Sequence, residues 1–161
     1  MRLPDLGARV RVLTKGLGAA VLPLVVAGAV GHASAGFLPG GYDLTFSGDA
    51  SFRGPHGGQV IHVTVETAGG EKVASREGTV SSTANPSFSF DFGDVLNQGQ
   101  SYVIKYWIDS NFDGGTKGVC DEPGRDHQWK IDASDDPALG NVSKNVTIVD
   151  SHRPKEIEKV C

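Results

Sequence analysis

Oxygen-bearing side chains recur at alternate positions in one short segment, at Asp109, Asn111 and Asp113, and Gly114 and Gly115 follow them. This order is the first half of the D-x-[DN]-x-[DN]-G loop that binds calcium in EF-hands. Calcium takes six to eight oxygen ligands in a flexible shell, and alternate residues can turn inward while the chain wraps around the ion. Glycine in the sixth place permits the sharp bend, and Gly115 would offer its carbonyl. The segment therefore predicts a calcium site.

The second half of the loop departs from this pattern. Cys120 occupies the twelfth place, where a bidentate glutamate is expected, and Asp121 and Glu122 follow it at once. These two carboxylates could complete the shell in a looser loop. The alternative is an ordinary turn without a metal, because Asp, Asn and Gly are also common turn residues. The candidate calcium ligands are Asp109, Asn111, Asp113, Gly115, Asp121 and Glu122.

Four histidines beyond the N-terminal segment offer a second metal chemistry: His56, His62, His127 and His152. Imidazole suits zinc and copper. Residue alternation places His62 on the polar face of a predicted strand, and His56 lies in a Gly-Pro-His-Gly-Gly turn. Only the tertiary fold could bring the four together, and four unrelated surface histidines are the alternative. A periplasmic copper- or zinc-binding protein is therefore the second hypothesis for function.

Sequence motifs of catalysis are absent. The chain has no G-x-S-x-G elbow, H-E-x-x-H pair or phosphate-binding P-loop. Asp126 and His127 could act as orienter and base, but neighbouring residues of a strand point to opposite faces, and no nucleophile is indicated. We therefore expect a non-enzymatic binding or structural module. A hydrolase with an unrecognised site is the third hypothesis.

The N-terminal 35 residues have the pattern of a cleavable export signal. Four basic residues precede an apolar stretch from Leu17 to Val30, and His32-Ala-Ser-Ala35 ends it with an A-x-A cleavage pattern. The apolar stretch is shorter than the ~20 residues of a membrane span. We expect cleavage between Ala35 and Gly36, a secreted or periplasmic mature protein of residues 36–161, and no membrane span once the leader is removed. A permanent anchor is the alternative.

The two cysteines, Cys120 and Cys161, both lie beyond the leader. In an oxidising compartment an even pair is most simply a disulfide, and this pair would tie the C-terminal residue to an internal loop. The alternative is that Cys161 is a free or intermolecular thiol. Neither cysteine belongs to a C-x-x-C pair, so redox catalysis has no support.

The charge of the predicted mature chain is negative. Without the four basic residues and one acidic residue of the leader, 11 basic and 18 acidic residues remain, which gives a formal charge of −7. Such a chain repels the phosphate backbone, so general nucleic-acid binding is not expected. An unidentified protein or another component of the cell envelope is the expected partner.

The remaining pattern is that of short β-strands separated by turns. Apolar and other residues alternate in the clearest segments, for example at Phe88, Phe90 and Phe92, and no long helical period occurs. The predicted strands lie near residues 42–46, 59–67, 87–92, 102–109, 128–131 and 141–149, and residues 72–76 with 79–82 are expected to form one or two weak strands. Residues 94–99 are expected to form a short turn or a single helical turn. About seven such strands predict an all-β fold, an antiparallel β-sandwich over residues 36–161. The tail from His152 suits either a short helix or an edge strand.

Part of this pattern resembles a known family. Three features are similar to the prealbumin-like (transthyretin-like) secreted β-sandwich domains, which include bacterial carboxypeptidase-regulatory-like modules: a phenylalanine-rich strand from Phe88, a turn from Leu96 through Gly99 to Tyr102 that resembles the L-x-x-G-x-Y turn of that family, and a strand that ends in the Asp109–Gly114 loop. The resemblance covers residues 88–122. It implies a β-sandwich and a calcium-type loop, and no particular activity, because one fold supports many functions.

Overall fold

The computed structural model describes residues 41–154 and 157–161. The predicted signal peptide, with its cleavage site, lies outside these residues. The described part is mostly β, with a single four-residue helix, α1 (Arg53–His56). That helix is too short to cross a membrane, and it is the only α-helix in this part of the chain. The seven strands are β1 (Tyr42–Gly48), β2 (Val60–Thr67), β3 (Lys72–Thr79), β4 (Phe88–Leu96), β5 (Tyr102–Ile108), β6 (His127–Ile131) and β7 (Val146–Asp150).

The strands form two sheets, one with the order β4-β1-β7 and the other with the order β3-β2-β5-β6. Alternation explains which side of each strand is buried. In β5, for example, Tyr102, Ile104, Tyr106 and Ile108 are buried while the residues between them are partly exposed. The prediction of about seven strands is therefore confirmed, and β5 buries one face as alternation predicts. β4 extends to Leu96, so the turn expected over residues 94–99 is wrong at its start.

Aromatic side chains fill the space between the two sheets. The Phe46 ring of β1 lies 5.1 Å from the Tyr106 ring of β5, measured between centroids, and both residues are fully buried. The Tyr106 hydroxyl also donates a hydrogen bond to Asp150 at the end of β7. Burial of an aromatic side chain of this kind stabilises a fold by about 2–3 kcal/mol. This aromatic layer holds the two sheets face to face.

One strand pairing differs from the antiparallel prediction. β7 runs parallel to β1, with Leu44 opposite Val146 and Gly48 opposite Asp150, whereas the other pairings are antiparallel. The reason is the crossover of residues 132–145, which follows the end of β6 and returns the chain to the end of the sheet where β1 begins. Both β1 and β7 therefore finish at the same end of the molecule. The C-terminal tail forms neither the helix nor the edge strand in its described residues.

Candidate metal centre

Three of the four candidate histidines meet at that end of the two sheets. His56, His127 and His152 each present a ligand nitrogen, and these nitrogens all lie within 4.8 Å of one another. The His127 Nδ1 and His56 Nε2 atoms are 2.9 Å apart. Ligand nitrogens about 2.0–2.1 Å from a tetrahedral zinc ion would be about 3.3 Å apart, so the observed separations bracket that value. The arrangement could hold a metal ion with small side-chain movements.

Each histidine is placed by a different element. His56 ends α1, which follows β1; His127 begins β6; and His152 comes two residues after β7. The parallel pairing of β1 and β7 is what sends His152 to the same end as His56. An antiparallel β7 would leave its following residues at the opposite end of the sheet. The group thus draws one ligand from each sheet and one from the connection between the sheets.

An aromatic floor supports the three imidazoles from the core side. Trp129 is fully buried, and its ring centroid lies 5.5–6.0 Å from those of all three histidines. Phe52, also fully buried, contacts His152 and His56 with centroid distances of 5.6 and 6.4 Å. The Trp129 Nε1 donates to the Arg153 carbonyl, which satisfies the polar atom of this large side chain. Contact with these buried rings restricts rotation of the imidazoles.

Gln59 sets the protonation of His56. Its Oε1 lies 2.6 Å from the His56 Nδ1, and an amide oxygen can only accept, so Nδ1 carries the proton. The Nε2 of the neutral ring then carries a lone pair, which accepts a hydrogen bond from the His127 Nδ1 at 2.9 Å. Ser110 adds a weaker contact, with its Oγ 3.4 Å from both the His56 Nδ1 and the Gln59 Oε1. Metal-binding histidines usually have such a partner on the second ring nitrogen.

The third imidazole has an unsatisfied nitrogen. The His152 Nε2 is buried and makes no hydrogen bond, while the His152 backbone N–H donates to the Ser51 Oγ at 2.8 Å. Burying a polar atom without a partner costs about 1–3 kcal/mol. A buried imidazole nitrogen without a hydrogen-bond partner, next to two other imidazoles, is in a suitable position to bind a metal ion.

Burial keeps the three rings neutral. It is the main reason that the pKa of His56 falls from 6.5 to about 4; the hydrogen bond to Gln59 raises this pKa, and the nearby His127 and His152 lower it. Burial also lowers the pKa of His127 and of His152, and in His127 the neighbouring His152 adds to the effect. Only neutral imidazole can ligate a metal, so all three rings are ready to bind at pH 7.

The fourth candidate histidine lies elsewhere. His62 is on the outer face of β2, where its ring stacks on Trp107 of β5 at a centroid distance of 4.0 Å and an interplanar angle of 9°. Its Nδ1 is 3.4 Å from a Glu77 carboxylate oxygen. The hypothesis of a site formed from scattered histidines is therefore narrowed to His56, His127 and His152.

The predicted calcium ligands follow β5 in a separate loop. Asp109 is buried, and its carboxylate accepts from the Asn111 side-chain amide and from the Gly118 backbone N–H. Asp121 accepts from the Thr116 N–H. The Asn111 Oδ1 is buried without a hydrogen-bond partner.

The remaining predicted ligands are more open. Asp113 is exposed and has a left-handed backbone with φ of 50°. Glu122 is exposed and pairs with Lys159 at 2.9 Å. Gly115 lies so close to Asn111 that a Cβ would come within 2.9 Å of the Asn111 Cα. The calcium site stays a prediction.

Two residues that the sequence did not single out as ligands organise this loop around His127. Asp126 is fully buried, and its carboxylate accepts from the backbone N–H groups of Ser110, Asn111 and Asp121 at 2.9–3.3 Å. Gln128 is also fully buried. The alternation of a strand turns Asp126 and Gln128 away from the side that His127 presents to the other histidines.

Gln128 joins the loop to the C-terminal tail. Its side chain donates to the Asp121 carbonyl at 2.6 Å and accepts from the Val160 N–H at 2.9 Å. A Cys120–Cys161 disulfide closes the same connection, with the two Cα atoms 6.2 Å apart. The predicted disulfide is thereby confirmed, and it fits an oxidising compartment. The loop, the tail and His127 thus form one connected unit.

Comparisons with protein-family models, with curated proteins and with solved structures found no match to this chain. Function is therefore inferred from the geometry of the three histidines. Their types were visible in the sequence. Their proximity was not, because His56 and His127 are 71 residues apart and meet only through the pairing of the strands.

Proposed function

We propose that this chain is an exported, non-enzymatic metal-binding protein that holds one divalent transition-metal ion, zinc or copper, between His56, His127 and His152. The supporting observation is the convergence of three imidazole nitrogens within 4.8 Å on an aromatic floor. Imidazole is a borderline ligand that suits Zn²⁺ and Cu²⁺ and has little affinity for hard cations such as calcium. Binding of zinc or copper by histidines, the second hypothesis from the sequence, is therefore preferred to calcium binding.

The environment of the three rings supports this function. The His56 Nδ1 is occupied by Gln59, so its Nε2 is oriented as a ligand, and the His152 Nε2 has no competing partner. A metal would replace the direct contact between His127 and His56 with two coordinate bonds. Because the ligands come from both sheets, the ion would also cross-link them. Proteins that bind a metal only when folded gain stability as the metal concentration rises.

Metal stoichiometry tests this proposal. The purified protein is stripped with a chelator, dialysed against Zn²⁺ or Cu²⁺, and analysed for metal per chain. We expect one tightly held ion per chain and its loss in His152→Ala. The matched control is His62→Ala, which removes a histidine on the outer face of β2 and should leave the stoichiometry unchanged. Equal loss in both variants, or no bound metal in the wild type, contradicts the proposal.

Calcium in the Asp109–Glu122 loop is the second candidate function. The observation in its favour is the buried Asn111 Oδ1, which has no hydrogen-bond partner next to the Asp109 carboxylate. If this loop binds calcium, added Ca²⁺ raises the melting temperature and Asp113→Ala abolishes the increase. Calorimetry that shows no response to Ca²⁺ excludes the site. The resemblance of residues 88–122 to prealbumin-like domains is a separate prediction that this result would not decide.

The proposal includes export. The A-x-A pattern at Ala33–Ala35 and the Cys120–Cys161 bridge both suit a protein that works outside the cytoplasm, secreted or in the periplasm. Determining the N-terminal residue of the protein recovered after export tests the cleavage site directly. Gly36 is the expected first residue, and an uncleaved N-terminus contradicts it.

A further inference from the structure

Three histidines alone do not complete the coordination shell of a divalent ion. In residues 41–154 and 157–161, the group of neighbouring ligand side chains consists of these three imidazoles and no carboxylate or cysteine. Zinc and copper complexes in proteins normally have at least four ligands, and three protein ligands with one position left over is the arrangement of sites that bind exogenous molecules. The nearby amide oxygen of Gln59 already accepts from the His56 Nδ1.

The charge at this position favours an anion. Ligating imidazoles are neutral, so a divalent ion held by three of them keeps its full charge of 2+. The carboxylate next to His127 in sequence, that of Asp126, accepts from three backbone N–H groups of the 109–122 loop. It therefore does not supply the missing ligand. A negatively charged donor from solution would complete the shell and reduce the charge.

The surroundings restrict how large such a donor can be. The fully buried Trp129 and Phe52 rings pack against the three imidazoles, so a ligand cannot occupy the space they fill. His127 and His152 are only partly buried, so part of the group is accessible to solvent. The Phe112 ring lies 5.1 Å from that of His127 and is 39% exposed. An exposed apolar side chain next to a metal ligand leaves room for small donors and hinders bulky ones.

We propose, on the premise that the metal-binding function above is correct, that the ion held by His56, His127 and His152 keeps one coordination position open and binds a small anion with an oxygen or nitrogen donor, which enters beside Phe112. The site is then a receptor for a small anion as well as for a metal. The metal ion attracts the anion by its positive charge, and the aromatic side chains around the site limit the size of the anion that can bind.

Azide added to the Cu²⁺-loaded protein tests this inference, because azide bound to copper gives its own charge-transfer absorption band. We expect a saturable band with one azide per copper. A protein that binds one copper per chain but gives no band shows that the chain itself fills the position, which overturns the inference and leaves the metal-binding function intact. A protein that binds no copper overturns both.

Phe112→Ala tests the entry route. Benzoate, a bulky anion, competes with azide for the position, and we expect the benzoate-to-azide affinity ratio to rise about tenfold in this variant, the lower end of what removal of apolar bulk does in a pocket. The matched control is Val119→Ala, which truncates another exposed apolar side chain of the same loop and should leave the ratio unchanged. An azide band with the same ratio in all three proteins contradicts entry beside Phe112.

Discussion

Gln59 offers the sharpest test of how the site is organised, because it forms a hydrogen bond with His56 and is not itself among the proposed ligands. Its Oε1 lies 2.6 Å from the His56 Nδ1. In Gln59→Leu the side chain keeps a similar volume but loses the acceptor. The Nδ1 proton of a fully buried ring then has only the longer contact to Ser110, at 3.4 Å. The ring can recover a hydrogen bond by moving its proton to Nε2, where it blocks the ligand lone pair.

The expected decrease in metal affinity follows from the loss of this hydrogen bond. Removal of a partner that orients a ligating histidine lowers metal affinity by about 10–100-fold, or about 1.4–2.7 kcal/mol. The metal-free fold should also lose about 1–3 kcal/mol, because a buried N–H is left without a full partner. The two effects are separable, since the first appears as a change in Kd well below the melting temperature and the second as a lower melting temperature in chelator.

Isothermal titration of Zn²⁺ in competition with a chelator measures the affinity. Gln59→Glu is the matched control, because a carboxylate keeps the acceptor and increases the basicity of the imidazole. We expect it to bind zinc at least as tightly as the wild type. The reasoning is refuted if Gln59→Leu binds zinc with wild-type affinity, or if Gln59→Glu and Gln59→Leu lose affinity equally.

Two other predictions concern the frame around the site. Replacing both cysteines with serine (Cys120→Ser with Cys161→Ser) should destabilise the fold by about 4 kcal/mol, the chain-entropy estimate for a separation of 41 residues. Zinc affinity should fall as well, because the bridged tail forms a hydrogen bond with Gln128, the residue next to His127. Chemical denaturation measures the first effect, and a parallel zinc titration measures the second. In chelator, the free energy of unfolding should decrease as the pH falls from 6.5 to about 4, because the folded chain, with the pKa of His56 lowered to about 4, binds fewer protons there than the unfolded chain. Urea denaturation across this range should show a shallower slope for His56→Asn than for the wild type, and identical slopes would contradict the lowered pKa.

Strand positions could be predicted from the sequence because they depend on local alternation. The phenylalanines of β4 and the aromatic and aliphatic residues of β5 have a period of two, and both strands lie where that period places them. The direction of β7 could not be predicted in this way. It depends on the crossover after β6, and alternation is the same for parallel and antiparallel partners.

The same limit explains why the sequence favoured the loop over the histidines. The Asp109–Gly115 pattern is contiguous, so it can be recognised without knowledge of the fold. His56, His127 and His152 become neighbours only when β1 and β7 run parallel and β6 begins at the end where they finish. A partial signal was present, since each of these histidines lies within three residues of the end of a predicted strand. The topology determines which strands end at the same end of the molecule, and the sequence pattern does not contain this information.

The most direct test of the account is anomalous diffraction from a crystal of the zinc- or copper-loaded protein, measured at the absorption edge of the metal. We predict a single anomalous peak per chain, about 2.0–2.1 Å from one nitrogen each of His56, His127 and His152. A peak beside His62 or within the 109–122 loop, or no peak at the three histidines in a crystal grown with excess metal, would contradict the central claim.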